Sequence, residues 1–138
     1  RNFYPTLSSM TQTQSSKILL LLIFAIAFVI NFVWEMWQMF AYEQFAASLL
    51  QASLICGLAS IGDAVYIVVL YWLGRRITRD RRWIAHLNGR RILAIAGAGL
   101  ITATLIEWIA LMLGRWSYSE AMIQIPLLKV GILPVLQL

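Results

Sequence analysis

Apolar runs long enough to cross a bilayer leave a chain few ways to fold, and here two of them flank one basic stretch. Residues 75–91, RRITRDRRWIAHLNGRR, carry seven of the eleven Lys and Arg residues. The run before them extends from about Leu49 to Leu73 and the run after them from Ile92 to Leu113. Each run has a single charged residue, Asp63 in the first and Glu107 in the second. A third run, ILLLLIFAIAFVI, follows Lys17 and continues as a helix pattern through NFVWEMWQMF, giving a span from Ile18 to about Phe40. At 61 % hydrophobic and 12 % charged, the chain inverts the balance of a soluble domain, in which about 25 % of residues are charged. A soluble fold of 138 residues has too much surface to hide so many apolar side chains. Lipid is the better solvent.

The expected fold is all-α: one polytopic transmembrane helical bundle over 1–138, with four spans at about 18–40, 49–73, 92–113 and 121–138. The last of these, AMIQIPLLKVGILPVLQL, is broken by Pro126, Gly131 and Pro134. Each proline removes a backbone donor and disturbs the residue before it. Residues 1–16 are polar and contain Pro5, so they read as an extended leader, with Ser15 or Ser16 able to cap the first helix. The connection 41–50 has the composition of a short interfacial helix. The chain opens on Arg1 and closes inside an apolar stretch, which reads as truncation at both ends.

The formal charge of +5 is concentrated beside helix ends, so it points to the anionic inner face of a membrane rather than to nucleic acid. Under the positive-inside rule the 75–91 loop and the N-terminus are cytoplasmic and the 41–50 connection lies outside. Arg75, Arg76, Arg79, Arg81, Arg82, Arg90 and Arg91 are then contacts to anionic lipid or to a partner, with Trp83 and Ile84 resting on headgroups. Trp34, Trp37, Trp108, Trp116 and Tyr118 form the aromatic band of the outer interface. Cys56 is the only cysteine, so no intrachain disulfide forms and no CxxC pair suggests a metal. His86 stands alone in the loop and reads as solvent-exposed.

The polar residues inside the spans carry the functional question. Asn31 and Glu35 are four apart, as are Trp34 and Gln38, so each pair shares a helix face. Glu35 either meets interfacial water or lines a pocket with Asn31 and Gln38. An acid at the bilayer centre costs about 3 kcal/mol, so Asp63 must be protonated, paired or facing a cavity; Lys129 is one partner, unless it snorkels to the interface. Glu35 and Glu107 come to similar depth on the outer side, with Asp63 deeper. Arg115 is placed to pair with Glu107 or Glu35, or with a headgroup. Ala94, Ala98 and Thr102 form one small-residue ridge, and Ser53, Gly57, Ser60 and Gly62 supply small residues on the second span.

The stretches Asn31-Phe-Val-Trp-Glu35-Met-Trp-Gln38, Gly62-Asp63, Asp80 to Trp83, Glu107, Gly114-Arg-Trp-Ser-Tyr118, Pro126 and Pro134-Val-Leu-Gln137 resemble a family of small four-span bacterial integral membrane proteins over nearly the whole chain. That resemblance implies an inner-membrane location and a helical fold, and no particular activity. The W-x-Y and proline-rich end is also similar to the small-helix lycopene cyclases, which implies acids placed beside an isoprenoid chain; their paired Glu-Glu motif is absent here. Two functions follow. One is an accessory subunit packing against other integral membrane proteins of a larger complex, with bound lipid, quinone or pigment at the interfaces. The other is an enzyme or carrier acting on a lipid or isoprenoid, in which Glu35, Glu107 and Arg115 are catalytic and one carboxyl is the general acid. No HExxH, GxSxG or phosphate-loop pattern occurs, and no metal or nucleotide site is expected.

Overall fold

The computed structural model describes residues 7–43 and 48–137, with side chains from Gln14 onward. Three long helices dominate: α1 (Leu7–Gln38), α2 (Leu49–Thr78) and α3 (Gly89–Met112). The segments Gln14–Ala41, Leu49–Thr78 and Gly89–Met112 are each long and apolar enough to cross a membrane. A helix of that length exceeds the roughly 30 Å hydrocarbon core, so its ends reach the headgroups. Large apolar side chains such as Leu21, Val29, Leu54, Leu58 and Ile101 point outward, an arrangement that water penalises and lipid accommodates.

The first helix starts at Leu7 rather than Ile18, so residues 7–16 are helical and not an extended leader, and Ser15 and Ser16 lie inside the helix instead of capping it. Past Pro5 nothing breaks the chain, and a helix nucleated by the apolar run extends through Ser, Thr and Gln at little cost. Residues 1–6 of that leader lie outside the described residues. So do residues 44–47 of the expected interfacial helix; the described part is a 3-10 turn, Met39–Ala41, followed by Tyr42. Ser48 then caps α2, its hydroxyl accepting from the Gln51 N–H at 3.2 Å, and Asn88 caps α3 by accepting from the Arg91 N–H at 3.0 Å.

The most extensive helix packing is between α1 and α2. The buried column on α2 is Ala52, Cys56, Ser60 and Ala64, four apart, and these small side chains let the two backbones approach. Ser60 satisfies its hydroxyl on the Cys56 carbonyl at 2.7 Å, so it packs without an unpaired polar atom. Of the expected small residues, Ser60 is buried and Gly57 lies against Phe32 of α1, whereas Gly62 faces open space and Ala94 is exposed; α3 buries Gly99, Ala103, Glu107 and Ala110. Tyr66 and Thr102 hydrogen-bond across α2 and α3 at 3.0 Å.

The fourth span is not a span. After α3 the chain forms a short antiparallel pair, β1 (Gln124–Ile125) and β2 (Val130–Gly131), and then a six-residue helix, α4 (Ile132–Gln137). Eighteen mostly apolar residues are enough to span only as an unbroken helix. Here Pro126 enters the turn between the strands, and Lys129 closes that turn with a left-handed φ of 54°. Pro134 stands in the first turn of α4, where a missing N–H costs nothing. The segment therefore doubles back onto the bundle, and α3 lies closer to it than to the other helices. A small core of Ala41, Tyr42 and Met122, with Trp116, Tyr118 and Leu133 around it, seals this end.

At the opposite end the basic loop is ordered on its own acid. Asp80 accepts from the Arg82 N–H at 2.8 Å and pairs with His86 at 3.1 Å, and these contacts hold its carboxyl below the usual carboxylate range. His86 is exposed but not alone. Trp83 does not rest on headgroups: it is buried, its indole N–H donating to the Tyr71 carbonyl at 3.2 Å. It lies so close to Gly74 that a Cβ there would stand 2.3 Å from the ring. Gly74→Ala is thus expected to expel Trp83 and to destabilise by about 1–3 kcal/mol, seen as a red-shifted tryptophan emission and a lower unfolding midpoint. An unchanged midpoint would show that the ring does not pack there.

Candidate functional site, an acidic core closed by the C-terminal segment

Two polar clusters lie inside the apolar bundle. The first gathers around the side-chain amide of Gln137. Its Nε2 lies 2.7 Å from Asp63 Oδ2, 2.9 Å from Glu35 Oε1 and 3.2 Å from Asn31 Oδ1. Its Oε1 accepts from Gln38 Nε2 at 3.0 Å. Asn31 and Gln38 are buried, and Asn31 also donates to the Ala27 carbonyl at 2.9 Å. Asn31, Glu35 and Gln38 are thus joined through one side chain, Gln137, and Glu35 is half-buried.

Asp63 and Glu35 share one nitrogen and therefore meet, although their positions in sequence place Asp63 deeper. Side chains tilt toward the N-terminus of their own helix. Because α1 and α2 are antiparallel neighbours, Glu35 leans away from the hairpin end and Asp63 leans toward it. The two tilts close the gap.

The second cluster surrounds Glu107, which is 4 % exposed. Its carboxyl accepts from the Tyr118 hydroxyl, from the Trp116 indole N–H at 3.3 Å and from the Tyr42 hydroxyl at 3.4 Å. Tyr118 in turn accepts from the Gly131 N–H at 2.8 Å, which ties the cluster to β2. Backbone bonds lock the surroundings: Glu43 N–H to the Ser117 carbonyl at 3.1 Å and Ser119 N–H to the Ala41 carbonyl at 3.0 Å. Burial and the nearby negative charge of Glu107 push the Tyr42 phenol well above its ordinary range. Burial and the bond to Glu107 do the same for Tyr118. The two clusters share no hydrogen bond among the described residues: Gln137 joins Glu35 of α1 to Asp63 of α2, and Glu107 of α3 is held by Tyr42, Trp116 and Tyr118.

Two expected pairings are absent from these clusters. Lys129 is exposed in the β1–β2 turn, and Asp63 meets Gln137 instead. Lys129 is too near the hairpin tip to reach the centre of α2. Arg115 is exposed beyond the end of α3, its backbone N–H closing on the Ala110 carbonyl at 2.9 Å, and Glu107 is satisfied by neutral donors. Among the described residues the one ion pair is His86–Asp80, and no three His, Cys, Asp or Glu side chains gather as a metal site. Of the loop arginines, Arg75 reaches Ser16 at 3.4 Å, Arg76 stands 5.1 Å over the Trp72 ring and Arg91 donates to the His86 carbonyl at 2.8 Å. Arg79, Arg81, Arg82 and Arg90 are exposed.

Reasoning from sequence missed Gln137 and the inward turn of Tyr42, Trp116 and Tyr118, which composition assigns to the interface band. An amide near the end of an apolar segment was the available signal for Gln137.

Fold and composition together define an integral membrane protein: a helical bundle with three helices long and apolar enough to span and a folded-back tail whose Gln137 bonds to Glu35 and Asp63. Compared with protein-family models, curated proteins and solved structures, the chain matches none.

Proposed function

We propose that the protein is a membrane enzyme or carrier that takes the polar or reactive end of a lipid or isoprenoid into the core of Glu35, Asp63 and Glu107. One observation carries this reading: each span contributes a carboxyl to a polar cluster within the bundle, and no cation of the described residues bonds to any of them. Adhesion between helices needs only Ser, Thr, Asn or Gln, at about 0.6–2 kcal/mol per bond. Acids cost more and add proton-handling chemistry. Glu35 and Asp63 are the groups for acid–base work, with Asn31 and Gln38 orienting the substrate. Glu107, already bonded to three donors, holds Tyr42, Trp116 and Tyr118 in place. Arg115 lies outside the core and would meet a substrate headgroup at its mouth. The similarity of the terminal segment to the small-helix lycopene cyclases supports an apolar chain as the substrate body.

A second reading, an accessory subunit of a membrane complex, is favoured by Gly62 and Gly97, both of which face open space where a partner helix could approach. One experiment separates them. After extraction from native membranes in mild detergent, the carboxyl-core reading expects a protein that retains a lipid or isoprenoid, and Glu35→Gln with Asp63→Asn should release it. Recovery in fixed stoichiometry with other membrane proteins, and no retained lipid, would overturn it in favour of the subunit. We further propose that the 75–91 loop faces the cytoplasm and anionic lipid of a bacterial inner membrane. A cysteine placed at Arg81 should resist impermeant labelling from outside, and ready labelling there would reverse the orientation.

A further inference from the structure

The ligand chemistry of the core can be narrowed, and this step rests on the reading just given. Three oxygens, on Asn31, Glu35 and Asp63, converge on Gln137 Nε2 at 2.7–3.2 Å. An amide nitrogen has two hydrogens, so the site presents one more acceptor than its occupant can serve. The Gln137 amide is assigned with its nitrogen toward the oxygens of Asn31, Glu35 and Asp63. That fixes Gln38 as well, with Nε2 toward Gln137 Oε1. Gln38 Oε1 then has no hydrogen-bond partner among the described residues, in a side chain only 1 % exposed, and an orphaned buried acceptor of this kind is rare.

We propose that Asn31, Glu35 and Asp63, with Gln38 next to them, form a binding site for a primary ammonium group carried on an apolar chain. The Gln137 amide holds that site as an internal surrogate while the tail is in. The spacing around that amide nitrogen suits N–H···O bonds. An ammonium group has three donors on one nitrogen and a positive charge; it matches both the number of acceptors and the uncompensated carboxyls. Entry requires withdrawal of the segment that ends at Gln137.

The test compares two chain-bearing cations on the full-length protein in nanodiscs, dodecylammonium and dodecyltrimethylammonium. They share charge and tail, and only the first has N–H donors. Dodecylammonium is expected to raise the unfolding midpoint, and Gln137→Ala to bind it about tenfold more tightly, because the site is no longer masked. In that variant it should restore the midpoint that the substitution lowers. Glu35→Gln and Asp63→Asn, which keep shape and lose charge, should abolish the effect. Equal effects of the two cations, or no gain in Gln137→Ala, would overturn the assignment. If dodecylammonium fails while a long-chain isoprenoid alcohol still binds, the ammonium inference falls and the lipid reading stands. If methylammonium competes as well as dodecylammonium, the ammonium site stands and the lipid source falls.

Discussion

Replacing Gln137 by alanine is expected to release the C-terminal segment and to lower the unfolding free energy by roughly 2–3 kcal/mol. One hydrogen bond between membrane helices contributes about 0.6 kcal/mol on average, which alone would make the change small. Gln137, however, makes contacts with four side chains from α1 and α2. Its removal strands two carboxyls and two amides where water does not replace the lost partner, and each stranded group adds its own penalty. Leu136, next to it and 65 % exposed, provides the contrast: Leu136→Ala should stay within about 0.5 kcal/mol. Hydrogen exchange reads the same event locally. The Ile132 N–H, bonded to the Ile123 carbonyl at 2.8 Å, should exchange faster in Gln137→Ala and unchanged in Leu136→Ala. Equal exchange in both variants would mean that the polar core does not hold the tail.

Glu107→Leu is expected to be the most damaging single change at the hairpin end, at about 3 kcal/mol or more, since it leaves the Tyr42, Trp116 and Tyr118 donors facing an apolar side chain. Glu107→Gln keeps an acceptor and should cost less, and it isolates the electrostatic part. Both phenols have raised pKa values in the folded protein, so the native state holds their protons above the ordinary tyrosine value of about 10. The unfolded chain then binds fewer protons than the native one, and stability falls as pH rises above about 10. Below that value the contribution is fully present. Removing the charge of Glu107 while leaving the burial should lower both phenol pKa values and soften the alkaline loss. The check is phenolate absorbance and unfolding followed across that range. Superimposable titrations of the wild type and Glu107→Gln would show that the tyrosines do not face the carboxyl.

What sequence makes legible here is the part governed by solvent. Apolar runs of sufficient length specify three spanning helices, and spacing by four puts Asn31 and Glu35 on one face. The terminal segment is where composition misleads: 121–138 is apolar enough for lipid, yet Pro126, Gly131 and Pro134 prevent the continuous helix that lipid demands. That Glu35 and Asp63 meet depends on side-chain tilt in an antiparallel pair, a three-dimensional property with no one-dimensional trace. The same holds for Tyr118. Its aromatic ring suits an interface band, and only the return of β2 makes it a clamp between Gly131 and Glu107.

The tight pairing of α1 with α2, against an α3 that leans chiefly on the tail, also sets an order of assembly. The first two spans can dock as a hairpin as soon as both have left the translocon. Their acids then wait without a donor until residue 137 has been synthesised and has swung back from the far side of α3. During that interval Glu35 and Asp63 line an incompletely covered seam in the bilayer, so an insertase or a lipid headgroup that shields them would act as a chaperone for this protein.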